Sequence, residues 1–183
     1  DLPPREKLLS LRREMLGILE SAGWIRPTPG SLDAIWSGVG PFTEGEPHYM
    51  AVYQQIINAP LFRAWADEPV FADLMAKLVD GPVHAHRLRI GRVTFPTNVD
   101  QTTAAHQDFE YIRGTPETYT VWTPIGECPI ELGGLAVLRA SHHGGYIDHA
   151  VFAHKKYANR GLRDDQLPTA ESIEWHSGDF RIG

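Results

Sequence analysis

Cysteine is almost absent from this chain of 183 residues, where Cys128 stands alone. A lone cysteine excludes an intrachain disulfide and a cysteine-based zinc site, and it fits a reducing compartment, so a cytoplasmic location is expected. No apolar run approaches the ~20 residues that span a bilayer. The opening Asp1-Leu-Pro-Pro also lacks the basic and then apolar order of a signal peptide. Positive charge is in deficit as well. A formal net charge of −6 and a pI near 5.8 argue against nucleic acid or a membrane surface as partner. Repeats, low-complexity tracts and obvious linkers are missing. What remains is 42% apolar and 22% charged, the balance of a folded chain that is long enough for one domain (1–183) and short for two.

Hydrophobic spacing divides the chain into a mainly helical part, 1–80, and a β-rich part, 81–183. Leu8, Leu9, Leu11, Met15, Ile18 and Leu19 recur at helical spacing and predict an amphipathic helix over 4–22, stopped by Gly23. Residues 24–46 are rich in Gly, Pro and Ser and read as loop. Helical patterns return at 48–58, 61–66 and 69–80. Beyond Gly81-Pro82 the period changes. Val83 to Phe95, Thr118 to Ile125 and Leu135 to Leu138 are β-branched or alternating, as strands require. Residues 144–172 read as a polar excursion with some helix. Helices followed by strands predict an α+β fold, with a jelly roll as the natural architecture for the second part.

The strongest chemical signal is Thr103-Ala-Ala-His106-Gln107-Asp108. Residues i and i+2 of an extended segment share a face, so His106 and Asp108 can reach one ion. An imidazole beside a carboxylate is two-thirds of the facial triad that leaves positions open on Fe(II). The triplet alone is weak, because such pairs also occur in polar turns.

Its context is more specific. His106-Gln-Asp-Phe-Glu-Tyr is followed by Tyr119-Thr-Val-Trp-Thr-Pro-Ile-Gly, then by Glu131-Leu-Gly-Gly-Leu-Ala-Val-Leu-Arg-Ala-Ser-His-His-Gly, and later by Trp175-His-Ser-Gly178-Asp179-Phe. This order resembles the phytanoyl-CoA dioxygenase family over about residues 10–183. Where the family has E-N-G, this chain has Glu131-Leu-Gly133; where it has P-G-S-H, the chain has Arg139-Ala-Ser141-His142. The resemblance implies a double-stranded β-helix (cupin-like jelly roll) with N-terminal helices packed on the sheet. It also implies an oxidoreductase that uses Fe(II), 2-oxoglutarate and dioxygen to hydroxylate a C–H bond of a small-molecule substrate, such as a natural-product intermediate. His106 and Asp108 would be metal ligands and catalytic, and an aspartate at position 108 implies hydroxylation rather than halogenation. Gln107, Thr120, Trp122 and Leu88 would contact the co-substrate, although Trp122 reads equally well as a core aromatic. The second iron histidine and the 2-oxoglutarate arginine are expected beyond Gly183, with the remaining C-terminal strands. His176 precedes the G-D turn and Arg181 follows it too soon, so neither fills those roles.

The other histidines and cations have plainer readings. His84 and His86 alternate as in a cupin metal site, yet no glutamate follows at useful spacing. By its place in the family segment His142 is structural or a support behind the ligands rather than a ligand, and His48, His143, His149 and His154 carry no recognisable spacing. Arg89 and Arg92 either face the pocket or are solvated edge charges. The segment Trp36 to Phe42 with His48 and Tyr49 is either a lid or a cap on the core. Two other functions stay open: a non-catalytic β-helix module without its iron site, and a cupin-like metalloprotein using His84 and His86.

Overall fold

A computed structural model of the chain describes residues 4–98, 102–115, 117–152, 159–167 and 174–181. The chain forms two compact units that divide after residue 101, well past the expected change of character at residue 80.

The first unit is helical, and its helices begin and end where the chain's chemistry dictates. α1 spans Arg5–Ser21 and buries Leu8, Leu11, Met15 and Leu19 along one stripe. Gly23, at φ +73°, supplies the left-handed turn that stops it. Its N–H donates to Glu20 O at 2.9 Å, and Trp24 N–H donates to Leu19 O at 2.9 Å, which closes a Schellman motif. α2 (Pro47–Asn58), α3 (Pro60–Ala66) and α4 (Pro69–Val79) each begin on proline, whose fixed φ and missing N–H suit a first helical position. The carboxylate of Glu14, on α1, accepts the N–H groups of Leu61 and Phe62 at 3.0 and 3.3 Å, capping the start of α3. Leu11, Tyr49 and Ile56 are the most deeply buried large side chains. Trp24 packs on Phe42, Tyr49 and Phe95, so the loop after Trp36 caps this core. The apolar stripe of α4 is different, since Leu74 and Leu78 remain exposed.

The expected strand over Val83 to Phe95 forms no ladder. Alternation produces extended backbone, but a strand also needs a partner, and at Val93 a side chain takes that place. Tyr49 Oη donates to Val93 O at 3.1 Å and accepts the Val93 N–H at 3.2 Å.

The second unit, Thr102–Arg181, is a mixture of short elements. α5 (Phe109–Ile112) follows the His-Gln-Asp triplet directly. β1 (Val137–Leu138) pairs antiparallel with β4 (Trp175–His176), and β2 (Ala150–Val151) with β3 (Arg160–Gly161). A single antiparallel bridge joins Cys128 to Phe180. Asp179 of the G-D turn accepts the Ile130 N–H at 2.9 Å, which fixes that bridge in register. Thr118 to Ile125 likewise forms no ladder, and among the described residues no jelly-roll barrel is formed. The observed class is therefore mixed helix and short strand. Part of the expected 144–172 excursion lies outside the described residues; its described parts, 144–152 and 159–167, carry β2, β3 and a 3-10 turn at Asp164–Gln166. No described helix is long and apolar enough to cross a membrane.

Candidate metal centre

The triplet is built against β3. Leu162 N–H donates to Ala105 O at 2.7 Å, drawing the segment before His106 alongside the strand. Gly161 permits that approach, because a Cβ there would stand 2.8 Å from Ala104 Cβ and 3.0 Å from Ala105 O. On the far side Asp108 is the N-cap residue of α5, and its carbonyl accepts the Tyr111 and Ile112 N–H groups at 2.9 and 3.0 Å. His106 and Asp108 are thus held between a strand and a helix start.

Their side chains converge. His106 Nε2 lies 3.1 Å from Asp108 Oδ1. His106 Nδ1 lies 2.8 Å from Ala104 O. A carbonyl only accepts, so Nδ1 carries the proton, and Nε2 faces the carboxylate as a lone pair in the neutral ring or as a second donor in the protonated one. The other carboxylate oxygen, Oδ2, accepts the Thr120 hydroxyl at 2.5 Å. Tyr111 packs edge-on against the His106 ring, with centroids 5.5 Å apart. Both side chains keep access to solvent, at 28% and 42% exposure. Two electron-pair donors facing each other at this distance need a proton or a cation between them, and a donor set of one imidazole and one carboxylate suits a divalent ion. Among the described residues no third His, Cys, Asp or Glu joins them.

A buried carboxylate secures the helix start. Glu110 has only 1% of its side chain exposed, yet it ion-pairs with Arg113 at 2.9 Å and with Arg160 of β3. It also accepts the Tyr146 hydroxyl. That hydroxyl and the two guanidiniums hold the Glu110 carboxyl below its ordinary 4.5 against the opposing effect of burial. Burial beside the same carboxylate, after the hydrogen bond itself, pushes the Tyr146 phenol up.

The remaining expected residues occupy distinct places. Gln107 has both ends of its amide engaged, Nε2 donating to Gly145 O at 2.7 Å and Oε1 accepting Ile147 N–H at 2.8 Å. Trp122 meets Phe180 edge-on at 4.8 Å and stays 40% exposed, so it is no closed core aromatic. Leu88 belongs to the first unit, is exposed, and donates its N–H to His86 Nδ1 at 3.0 Å. Arg89 pairs with Asp67, and Arg92 with Glu44 at 3.5 Å. His176 pairs with Glu174 at 3.3 Å on β4.

Sequence reasoning passed over Glu110, Tyr146, His149 and Arg160. Only the Glu110–Arg113 spacing of three left a local trace.

A family model described as phytanoyl-CoA dioxygenase (PhyH) matches residues 38–182, most of the chain. The chain belongs to the phytanoyl-CoA dioxygenase family. Comparison with curated proteins and with solved structures gave no match. Membership gives a cupin-like fold family and a dioxygenase-type oxidoreductase acting on a small molecule with dioxygen. The donor set at His106 and Asp108 fits the divalent iron that such enzymes use.

Proposed function

We propose that the protein is a non-haem Fe(II)- and 2-oxoglutarate-dependent dioxygenase that hydroxylates a C–H bond of a small organic substrate, with His106 and Asp108 as two of the metal ligands. The observation that carries this is the convergence of His106 Nε2 and Asp108 Oδ1 at 3.1 Å, with Nδ1 tied to Ala104 O. Bound iron with its keto-acid co-substrate supplies the oxygen activation that side chains cannot. The chain's own residues orient. Ala104 O sets the imidazole tautomer, and the Thr120 hydroxyl occupies Asp108 Oδ2 so that Oδ1 faces His106.

Gln107, Thr120 and Trp122 are proposed to border the 2-oxoglutarate site. Exposure of the Trp122 ring supports that role. Leu88 is proposed from the family pattern alone. The segment Thr118–Ile125 and the β1–β4 ladder are proposed as pieces of a double-stranded β-helix, which family membership supports. A formal net charge of −6 gives no reason to single out a coenzyme A ester, which favours a small natural-product or metabolic intermediate.

Replacing Asp108 with alanine removes a ligand without filling the site. Succinate formation from 2-oxoglutarate by the complete protein, with Fe(II) and air, should fall by ~100-fold or more in D108A. Unchanged turnover would remove Asp108 from the site.

A further inference from the structure

His149 has no telling sequence neighbour, yet with Glu110 it is one of the two buried polar side chains among the described residues. Both of its ring nitrogens are committed. Gln107 N–H donates to His149 Nε2 at 2.8 Å, so Nε2 bears a lone pair. Nδ1 therefore carries the proton and donates it to Ile147 O at 2.8 Å. The ring also stacks on Tyr146, with centroids 5.9 Å apart and planes at 20°.

The residue that His149 grips stands between His106 and Asp108. The Gln107 N–H belongs to the peptide plane shared with His106. The Gln107 carbonyl belongs to the plane shared with Asp108, and it accepts Glu110 N–H at 3.0 Å. Fixing both planes fixes the directions in which the two neighbouring side chains leave the backbone. The Gln107 amide reinforces this by spanning Gly145 O and Ile147 N–H on the same segment as His149. A part-buried N–H that loses its acceptor at Nε2 costs free energy until the plane rotates toward another partner. That rotation would swing the His106 side chain.

We infer that His149 is a positioning residue for the metal-binding pair, and that it acts through the acceptor at Nε2 rather than through its bulk. The inference rests on the reading of His106 and Asp108 as ligands.

Two substitutions each keep one of its two hydrogen bonds. Asparagine reaches only the Nδ1 position, so H149N retains the bond to Ile147 and leaves Gln107 N–H unpaired. Glutamine reaches the Nε2 position, so H149Q keeps an acceptor for Gln107. Co(II) is titrated into the complete protein without oxygen and followed by its visible ligand-field absorption, with circular dichroism to establish folding. H106A and D108A serve as controls. H149N should weaken Co(II) binding by about 10- to 100-fold, and H149Q should stay within about threefold of the parent. Equal weakening in both, or parental affinity in H149N, would show that His149 only packs and overturn the inference. If H149N fails to fold, H149Q decides: retained affinity supports the role of the acceptor, and lost affinity in a folded H149Q overturns it. Should binding survive D108A, the ligand assignment itself fails and takes this inference with it. Binding that needs Asp108 yet ignores position 149 leaves the ligand assignment standing and sinks only the inference.

Discussion

In the first unit the buried side chains are Leu8, Leu11, Met15, Leu19, Trp24, Tyr49, Val52, Ile56, Ala59 and Phe95; in the second, among the described residues, they are Glu110, His149 and Leu162. Apolar burial is strong but has no direction, and each such side chain contributes about 1.5–3 kcal/mol wherever it finds cover. Hydrogen bonds and ion pairs contribute less net stability but demand particular angles. The first unit is therefore built to be stable. Among the described residues of the second, directional bonds dominate, and on the proposed reading they aim two side chains.

The comparison breaks first at Ile56, which is fully buried on α2. I56A should cost about 2–5 kcal/mol in thermal or urea unfolding, because the removed methyls leave a cavity. Below its lowered melting temperature the variant should still bind metal at His106 and Asp108. A loss under ~1 kcal/mol would contradict an apolar core as the main support of this unit.

Gly161 tests the second unit, where direction matters more than burial. G161A forces a methyl against Ala104 Cβ and Ala105 O. A cost of about 1–3 kcal/mol is expected, together with weakened metal binding, as β3 shifts away from the triplet. Retained affinity in a destabilised variant would separate the strand from the site.

A smaller effect sharpens the contrast by pH. Glu110 is held below 4.5 in the fold, so its contribution is present above that pH and is lost as acid protonates it in the folded state. The melting temperature of the parent should thus fall more steeply below pH 4.5 than that of E110Q, which has no carboxyl to protonate. Parallel profiles would show that the Tyr146, Arg113 and Arg160 contacts contribute little.

The two units were also unequally legible. All four helices of the first could be read from period and punctuation, since Pro47, Pro60, Pro69 and Gly23 act on their own backbones. Such signals are local, and propensity with capping nearly suffices. The triplet was readable for the same reason: His106 and Asp108 are two residues apart, so the pair itself is a local signal. The strands were legible only in part, since Leu135 to Leu138 contains β1 and the two longer expected strands form no ladder. Alternation over Val83 to Phe95 and Thr118 to Ile125 specifies extended backbone, but pairing depends on distant segments, as β1 with β4 and Cys128 with Phe180 show. The supports of the site were hidden more deeply. His149 meets Gln107 across a separation of 42 residues, and Tyr146 meets Glu110 across 36, with no pattern near either to announce it.

One titration reaches the central claim directly and needs no knowledge of the substrate. Fe(II) and 2-oxoglutarate are added to the complete protein without oxygen, and the visible spectrum is followed for the weak charge-transfer band of the chelated keto acid. A saturable band that disappears in both H106A and D108A is the expected result. No band in the parent, or the same band in D108A, would contradict a metal centre built on this imidazole and carboxylate.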